Sequence, residues 1–211
     1  ASGSRRRRAV PAGSHNATVR VVAVLAAAAA VVAIAVVALR GGDETAPPPG
    51  ALALVGDSLN VGIEPFLAEA LPRWRIRRLN RVGRTTDEGL AVLAETRGDL
   101  PPLLVVSLGT NDPAGSAAAF RTAVRRTVSL AGASSCVVWV TIHRDGHEPL
   151  NEVLRAEAER LPGLRLVDWD ALVRAHPEWL APDGVHGTPE GYAGRAEAVA
   201  EAVRGCRGGP A

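Results

Sequence analysis

The sequence predicts an α/β domain on a five-stranded parallel sheet in the order 2-1-3-4-5, preceded by one transmembrane helix. Three observations predict it. From residue 51 onward, strand-like and helix-like pieces alternate, and that alternation implies a parallel sheet covered on both faces. Three strand-like pieces are apolar throughout, as central parallel strands are, and two alternate, as edge strands do. Upstream, residues 21–39 form an unbroken apolar run with Arg20 and Arg40 at its ends.

Residues 1–20 read as a basic cytoplasmic tail with four consecutive arginines, Arg5 to Arg8. The run from Val21 to Leu39 follows, and about 20 apolar residues at ~1.5 Å each cross a bilayer core of ~30 Å. The arginines before it keep the N-terminus in the cytoplasm and place the rest of the chain outside. The competing reading is a cleaved signal peptide. The run is long for a signal core, and Thr45-Ala46 leads straight into Pro47, so an uncleaved anchor in the cell membrane is expected. Residues 40–50, with Gly41-Gly42 and Pro47-Pro48-Pro49, are an extended linker. The domain spans 51–206, and 207–211 are a tail. All 24 basic residues of the 211 are arginine. Six of them lie in residues 1–40, which hold no acid; residues 41–211 carry 18 against 22 acids, a net −4, so the domain gives no reason to infer nucleic-acid binding.

The strand candidates are 51–55, 74–79, 103–107, 137–142 and 164–167, and the helix candidates are 61–70, 86–97, 114–130, 148–160 and 188–204. Ala51–Val55, Leu103–Val106 and Val137–Val140 are continuously apolar, whereas Trp74-Arg75-Ile76-Arg77 and Leu164-Arg165-Leu166 alternate. Strands one, three and four are therefore central, and the order 2-1-3-4-5 meets that condition. In that order a ligand crevice opens at the carboxyl rim, between strands one and three.

The residues collecting at that rim are Gly56-Asp57-Ser58 after strand one, Arg81-Val82-Gly83-Arg84-Thr85 after strand two, Gly109-Thr110-Asn111-Asp112 after strand three, His143 after strand four, and Asp183-Gly184-Val185-His186 after strand five. Nucleophilic catalysis needs a nucleophile, a base, an orienting acid and oxyanion donors. Ser58 supplies the hydroxyl and His186 the base. Asp183, three residues earlier, reaches Nδ1 across a turn and leaves Nε2 for Ser58. The backbone N–H groups of Ser58 and Gly83 and the amide of Asn111 are the oxyanion donors. The alternative for Asp57-Ser58 is a helix cap. Asp168 and Asp170 are alternatives for the acid.

These four ordered blocks resemble those of the SGNH (GDSL-type) hydrolase superfamily, over about residues 51–204. The resemblance implies a three-layer α/β/α fold and a serine esterase or acyl-transfer mechanism with no metal or other cofactor. It implies Ser58 as nucleophile, Gly83 and Asn111 as oxyanion donors, and Asp183 and His186 as the rest of the triad. The stretch from Val167 to His186 looks most like soluble domains attached to, or partnered with, membrane acyltransferases that O-acylate envelope polysaccharides. The expected substrate is an O-acylated carbohydrate or other small ester, with membrane lipid at the N-terminal helix and a membrane acyltransferase as further partners. Gly187 departs from the family, where a bulkier apolar residue is common.

Asp57 is expected to bond backbone N–H groups of its turn, and Asp112 to cap the helix that follows it. His143 and His147 suggest a metal pair, but Asp145-Gly146 between them reads as a turn and no third ligand accompanies them. His143 is a candidate for lining the cleft. His15 and His176 read as solvated. Trp179 is either a substrate platform or a pin holding its loop to the core. Cys136 opens strand four and Cys206 closes the last helix; both fall on the face opposite the rim, so a disulfide between them is expected. The alternative to an enzyme is a non-catalytic envelope module that binds glycan or a partner through the same fold.

Overall fold

The computed structural model describes residues 50–132 and 135–206. The basic tail, the apolar run, nearly all of the linker and the C-terminal tail lie outside them. Among the described residues no helix is long and apolar enough to cross a membrane.

Strands β1 (Ala51–Gly56), β2 (Arg75–Arg78), β3 (Leu103–Ser107), β4 (Cys136–Val140) and β5 (Leu164–Val167) form one sheet in the order β2-β1-β3-β4-β5. Every pairing is parallel. The helices are α1 (Ser58–Ala70), α2 (Thr86–Glu95), α3 (Ala117–Ala131), α4 (Glu148–Ala158), α5 (Trp169–Ala175) and α6 (Pro189–Gly205). Short 3-10 turns occupy Arg97–Asp99 and Pro177–Trp179.

The period of two along each strand divides the core between the two faces of the sheet. Leu52, Leu54, Leu103, Val105, Val138 and Val140 pack on one face against Ile63 and Leu67 of α1 and Ala196, Val199 and Val203 of α6. Ala53, Val55, Leu104, Val106, Val137 and Trp139 pack on the other, against Leu93 of α2, Phe120 and Val124 of α3 and Leu150 and Leu154 of α4. The result is three layers. Trp139 is fully buried, meets Phe120 edge-on with centroids 5.6 Å apart, and donates its indole N–H to the Leu108 carbonyl at 3.3 Å. Such an aromatic pair is worth ~1 kcal/mol beyond its buried area. It also ties the segment after β3 to β4. On the face opposite the rim, Cys136 and Cys206 are joined by a disulfide, with Cα atoms 6.0 Å apart.

Three local expectations need correction. Helix α1 begins at Ser58, three residues earlier than the apolar period suggests, because Asp57 is its N-cap and accepts from the Leu59 N–H at 2.9 Å. Asp112 does not cap α3, whose N-cap is Ser116 without a side-chain bond; Asp112 Oδ1 instead accepts from the Thr86 N–H, at the start of α2, at 2.8 Å. A cap supplied from another strand's loop has no sequence signature. Helix α5 was not expected at all: seven residues are too few to display a helical period. Its local marker is Asp168, whose carboxylate accepts from the Ala171 N–H at 3.2 Å.

Candidate active site

Strand β1 ends at Gly56, where a Cβ would lie 2.7 Å from the Asn60 side chain, so only glycine lets the first turn of α1 close over the strand end. The Asp57 N–H donates to the Ser107 carbonyl on β3 at 3.1 Å, fixing the turn at the topological switch point. Ser58 is therefore the first residue of a helix. Its N–H is one of the four at a helix start that have no intrahelical acceptor.

Ser58 Oγ lies 2.9 Å from His186 Nε2, and His186 Nδ1 lies 2.6 Å from Asp183 Oδ2. With Nδ1–H donating to the carboxylate, Nε2 carries the lone pair and accepts the serine O–H. Asp183 Oδ1 accepts from the N–H groups of His186 at 2.9 Å and Val185 at 3.0 Å. The bond from the imidazole, and then those two backbone bonds, hold the Asp183 carboxyl well below the ordinary carboxylate range. The alternative acids are engaged elsewhere: Asp168 with Thr141 at 3.0 Å, and Asp170 with His143 at 2.7 Å.

The loop carrying Asp183 and His186 is braced at its base. Leu180 and Gly187 form an isolated antiparallel bridge, and the Ala181 N–H donates to the His186 carbonyl at 2.8 Å. Gly184 turns the loop with a φ of 70°. The Trp179 ring stacks on Trp169 with centroids 6.1 Å apart and on His176 at 4.3 Å, and packs against the core. Trp179 thus pins this loop to the core. His176, expected to be solvated, is half-exposed and lies 3.2 Å from Glu178. A Cβ at Gly187 would lie 3.2 Å from the Tyr192 ring, so Tyr192 fills the space that a bulkier residue would need there.

Gly83 occupies the exposed turn after β2 with a φ of 73°, and nothing lies within 4 Å of a Cβ built on it. Its requirement for glycine is conformational, not steric. Asn111 ties the rim together: its Nδ2 donates to the Arg84 carbonyl at 3.1 Å and, more weakly, to Asp57 Oδ2 at 3.4 Å. One amide thus links the segments after β1, β2 and β3.

Sequence reasoning missed Arg195 and gave His147 no bracing role. Arg195 of α6 is 1% exposed; its Nη2 donates to Ser107 Oγ at 2.8 Å and its guanidinium carbon sits 4.8 Å from the centre of the Trp169 ring. The available signal was its place on the apolar stripe with Val199 and Val203, at steps of four. His147, 5% exposed, faces the Asp145 carbonyl with Nδ1 and the Asp112 carbonyl with Nε2, both at 3.0 Å. It braces the segment after Asn111 and offers no nitrogen for a metal shared with His143. Among the described residues no group of three metal-ligating side chains converges.

No protein-family model matches the chain. It is 28% identical over 137 residues to the O-acetyltransferase OatA of Staphylococcus aureus (strain NCTC 8325 / PS 47), covering 63% of this chain and 22% of that protein. To YrhL of Bacillus subtilis (strain 168) it is 27% identical over 139 residues, covering 65% of this chain and 21% of that protein. The chain thus spans about a fifth of the length of these relatives. Among solved structures it is similar to the C-terminal catalytic domain of the peptidoglycan O-acetyltransferase OatA of Streptococcus pneumoniae, with a TM-score of 0.65, 21% identity, and coverage of 78% of this chain and 98% of that one. GDSL-type lipolytic proteins share the architecture. The fold is that of the SGNH (GDSL-type) hydrolases.

Proposed function

We propose that this chain is a serine-dependent acyl-transfer enzyme acting on O-acyl esters, acetyl above all, of glycans outside the cell membrane, to which residues 21–39 anchor it. The single observation that carries this reading is the hydrogen-bonded row Ser58–His186–Asp183. Ser58 Oγ attacks the ester carbonyl carbon while its proton passes to His186 Nε2. The developing oxyanion is met by the N–H groups of Ser58 and Gly83 and by Asn111, whose long 3.4 Å bond to Asp57 is the one an oxyanion would displace. The C–O bond to the leaving alcohol breaks as that oxygen takes the proton from His186. The acyl group now sits on Ser58. Water or a sugar hydroxyl then gives its proton to His186 and attacks the acyl carbon, and Ser58 leaves and is reprotonated. Asp183 holds the ring in the productive tautomer throughout. The acetyl and glycan assignments come from the likeness to O-acetyltransferases.

Fluorophosphonate labelling of the full chain tests the reading, together with turnover of an acetyl ester such as 4-nitrophenyl acetate. Ser58→Ala is expected to abolish both without changing the unfolding midpoint. Turnover by Ser58→Ala at the wild-type rate would sink it, and a wild-type chain that neither labels nor turns over would leave the non-catalytic glycan-binding module in its place.

A further inference from the structure

A second histidine–aspartate pair stands on the same rim. His143, after β4, holds its Nδ1 2.7 Å from Asp170 Oδ1, and Asp170 Oδ2 accepts from Arg174 Nε at 3.0 Å. The Asp170 side chain is 9% exposed and that of His143 is 24% exposed. Burial alone would raise the Asp170 carboxyl, but the bonds from Arg174 and His143 outweigh it and hold the group below its ordinary range, as a carboxylate. A carboxylate at Nδ1 takes the ring N–H and leaves a lone pair on Nε2. That nitrogen has no hydrogen-bond partner among the described residues, yet it is not a buried orphan, so it is open to solvent. The arrangement repeats that of His186 and Asp183, without a serine.

The pair lines a cavity of about 150 Å³ with Arg144, Asp145, Glu148 and Arg174. Its charges are largely spoken for. Arg174 is held by Asp170, Arg144 donates to the Thr110 carbonyl at 2.7 Å, and Glu148 pairs with Arg155 at 2.7 Å. Such a lining suits neither a free anion nor a cation. It suits a neutral ligand rich in hydroxyl groups. The position suits one as well. Strand β4 lies two places from β1 in the sheet, so the cavity stands roughly 10 Å along the rim from Ser58 at ~4.8 Å per strand. A sugar adjoining the one at Ser58 would reach it.

We propose that His143 and Asp170 form an acceptor subsite in which a glycan hydroxyl donates to His143 Nε2, favouring transfer of the acyl group to sugar over its loss to water. The inference rests on the acyl-transfer reading above and names the role of a second part of the same rim.

The test uses the full chain with 4-nitrophenyl acetate as donor and a β-1,4-linked N-acetylglucosamine tetramer as acceptor, scoring acetylated tetramer and free acetate separately. His143→Asn keeps a donor for Asp170 and removes the nitrogen at Nε2. His143→Gln restores an acceptor near that position. His143→Asn is expected to raise the acceptor KM about tenfold, the loss of one hydrogen bond, with acetate release in the absence of tetramer unchanged. His143→Gln is expected to recover part of the loss. Equal acceptor KM in wild type and His143→Asn would overturn the subsite. So would a wild-type chain that hydrolyses through Ser58 but acetylates no tetramer, and this outcome leaves the esterase reading standing. Hydrolysis that survives in Ser58→Ala would remove the parent reading instead.

Discussion

The loop that carries Asp183 and His186 is held from below by a contact no side chain makes. Gly191, in the first turn of α6, lies so close to Trp179 that a Cβ there would stand 2.0 Å from the Trp179 carbonyl oxygen. Gly191→Ala in a helix would ordinarily stabilise by ~1 kcal/mol. Here the carbonyl must retreat by about 1.4 Å, the gap between 2.0 Å and an ordinary 3.4 Å contact. It cannot retreat alone, because it accepts from the Thr188 N–H at 2.8 Å and from Thr188 Oγ1 at 3.4 Å. The next residue, Leu180, is bridged to Gly187, and Ala181 to His186. The displacement therefore passes to the base, and the 2.9 Å bond between Ser58 and His186 opens. Overpacking costs ~1–3 kcal/mol, offset in part by the helix gain, so a net loss of about 1 kcal/mol in stability is expected. Misplacing a reacting group by ~1 Å costs about 10²-fold in rate. The assay pairs the rate of fluorophosphonate labelling with urea unfolding of the same preparation. Gly98→Ala, where a Cβ meets nothing within 4 Å, is the control and should match wild type in both. Wild-type labelling by Gly191→Ala would refute the reasoning, for it would mean that the loop absorbs the shift before it reaches His186.

Asn111→Ala removes the amide proposed as an oxyanion donor and should lower kcat by ~10²–10³ with little change in KM, measured on an acetyl ester. Asp183 has a lowered folded-state pKa, so whatever it adds to stability is present above the unfolded carboxylate value and is lost only as pH drops through the folded one. The stability difference between wild type and Asp183→Asn, read from urea curves, should therefore shrink as pH falls below the unfolded carboxylate value. Cys206→Ser opens a loop closed over a sequence separation of 70 and should lower unfolding free energy by up to ~4 kcal/mol, read from urea curves, with labelling of the folded protein unchanged.

The sheet was legible because burial writes itself into composition. β1, β3 and β4 are buried on both faces and so apolar at nearly every position, whereas Arg75 and Arg77 in β2 and Arg165 in β5 show that those strands have an open side. That contrast marks the two edge strands, and the observed order is one arrangement that meets it. The candidate site was legible because Ser58, Gly83 and Asn111 each come shortly after a strand, and parallel strands end on one rim; Asp183 and His186 follow β5 only after an excursion through α5 and the 3-10 turn at Pro177–Trp179. What escaped notice was set by tertiary contact. Asp112 reaches a helix 26 residues away, and His147 bonds a carbonyl 35 residues away; neither bond leaves a local pattern. Trp179 stayed ambiguous for the same reason, since only the packed position of Trp169 decides which side of the loop it covers.

The buried charges under Ser58 explain why an aspartate stands beside it without joining its hydrogen-bonded row with His186. Asp57 is fully buried, and burial pushes its carboxyl up; the Leu59 N–H and the charge of Arg195 pull it back. Burial likewise lowers the Arg195 guanidinium to about 10, and the charge of Asp57 opposes that shift. Arg195 reaches this place with Nε and Nη1 unpartnered, so hydrogen bonds alone do not account for its burial. Its remaining supports are the Ser107 hydroxyl, the face of Trp169 and the field of Asp57. Removing either member would take one of the few supports from the other buried group. Asp57 in turn caps α1 at Leu59 and receives the long bond from Asn111, so the charge of Arg195 acts on the site through the turn that aims Ser58 and through the amide beside it. The glycine, aspartate and serine of this turn thus divide the work: Gly56 admits the helix, Asp57 fixes it, and Ser58 is left free to face His186.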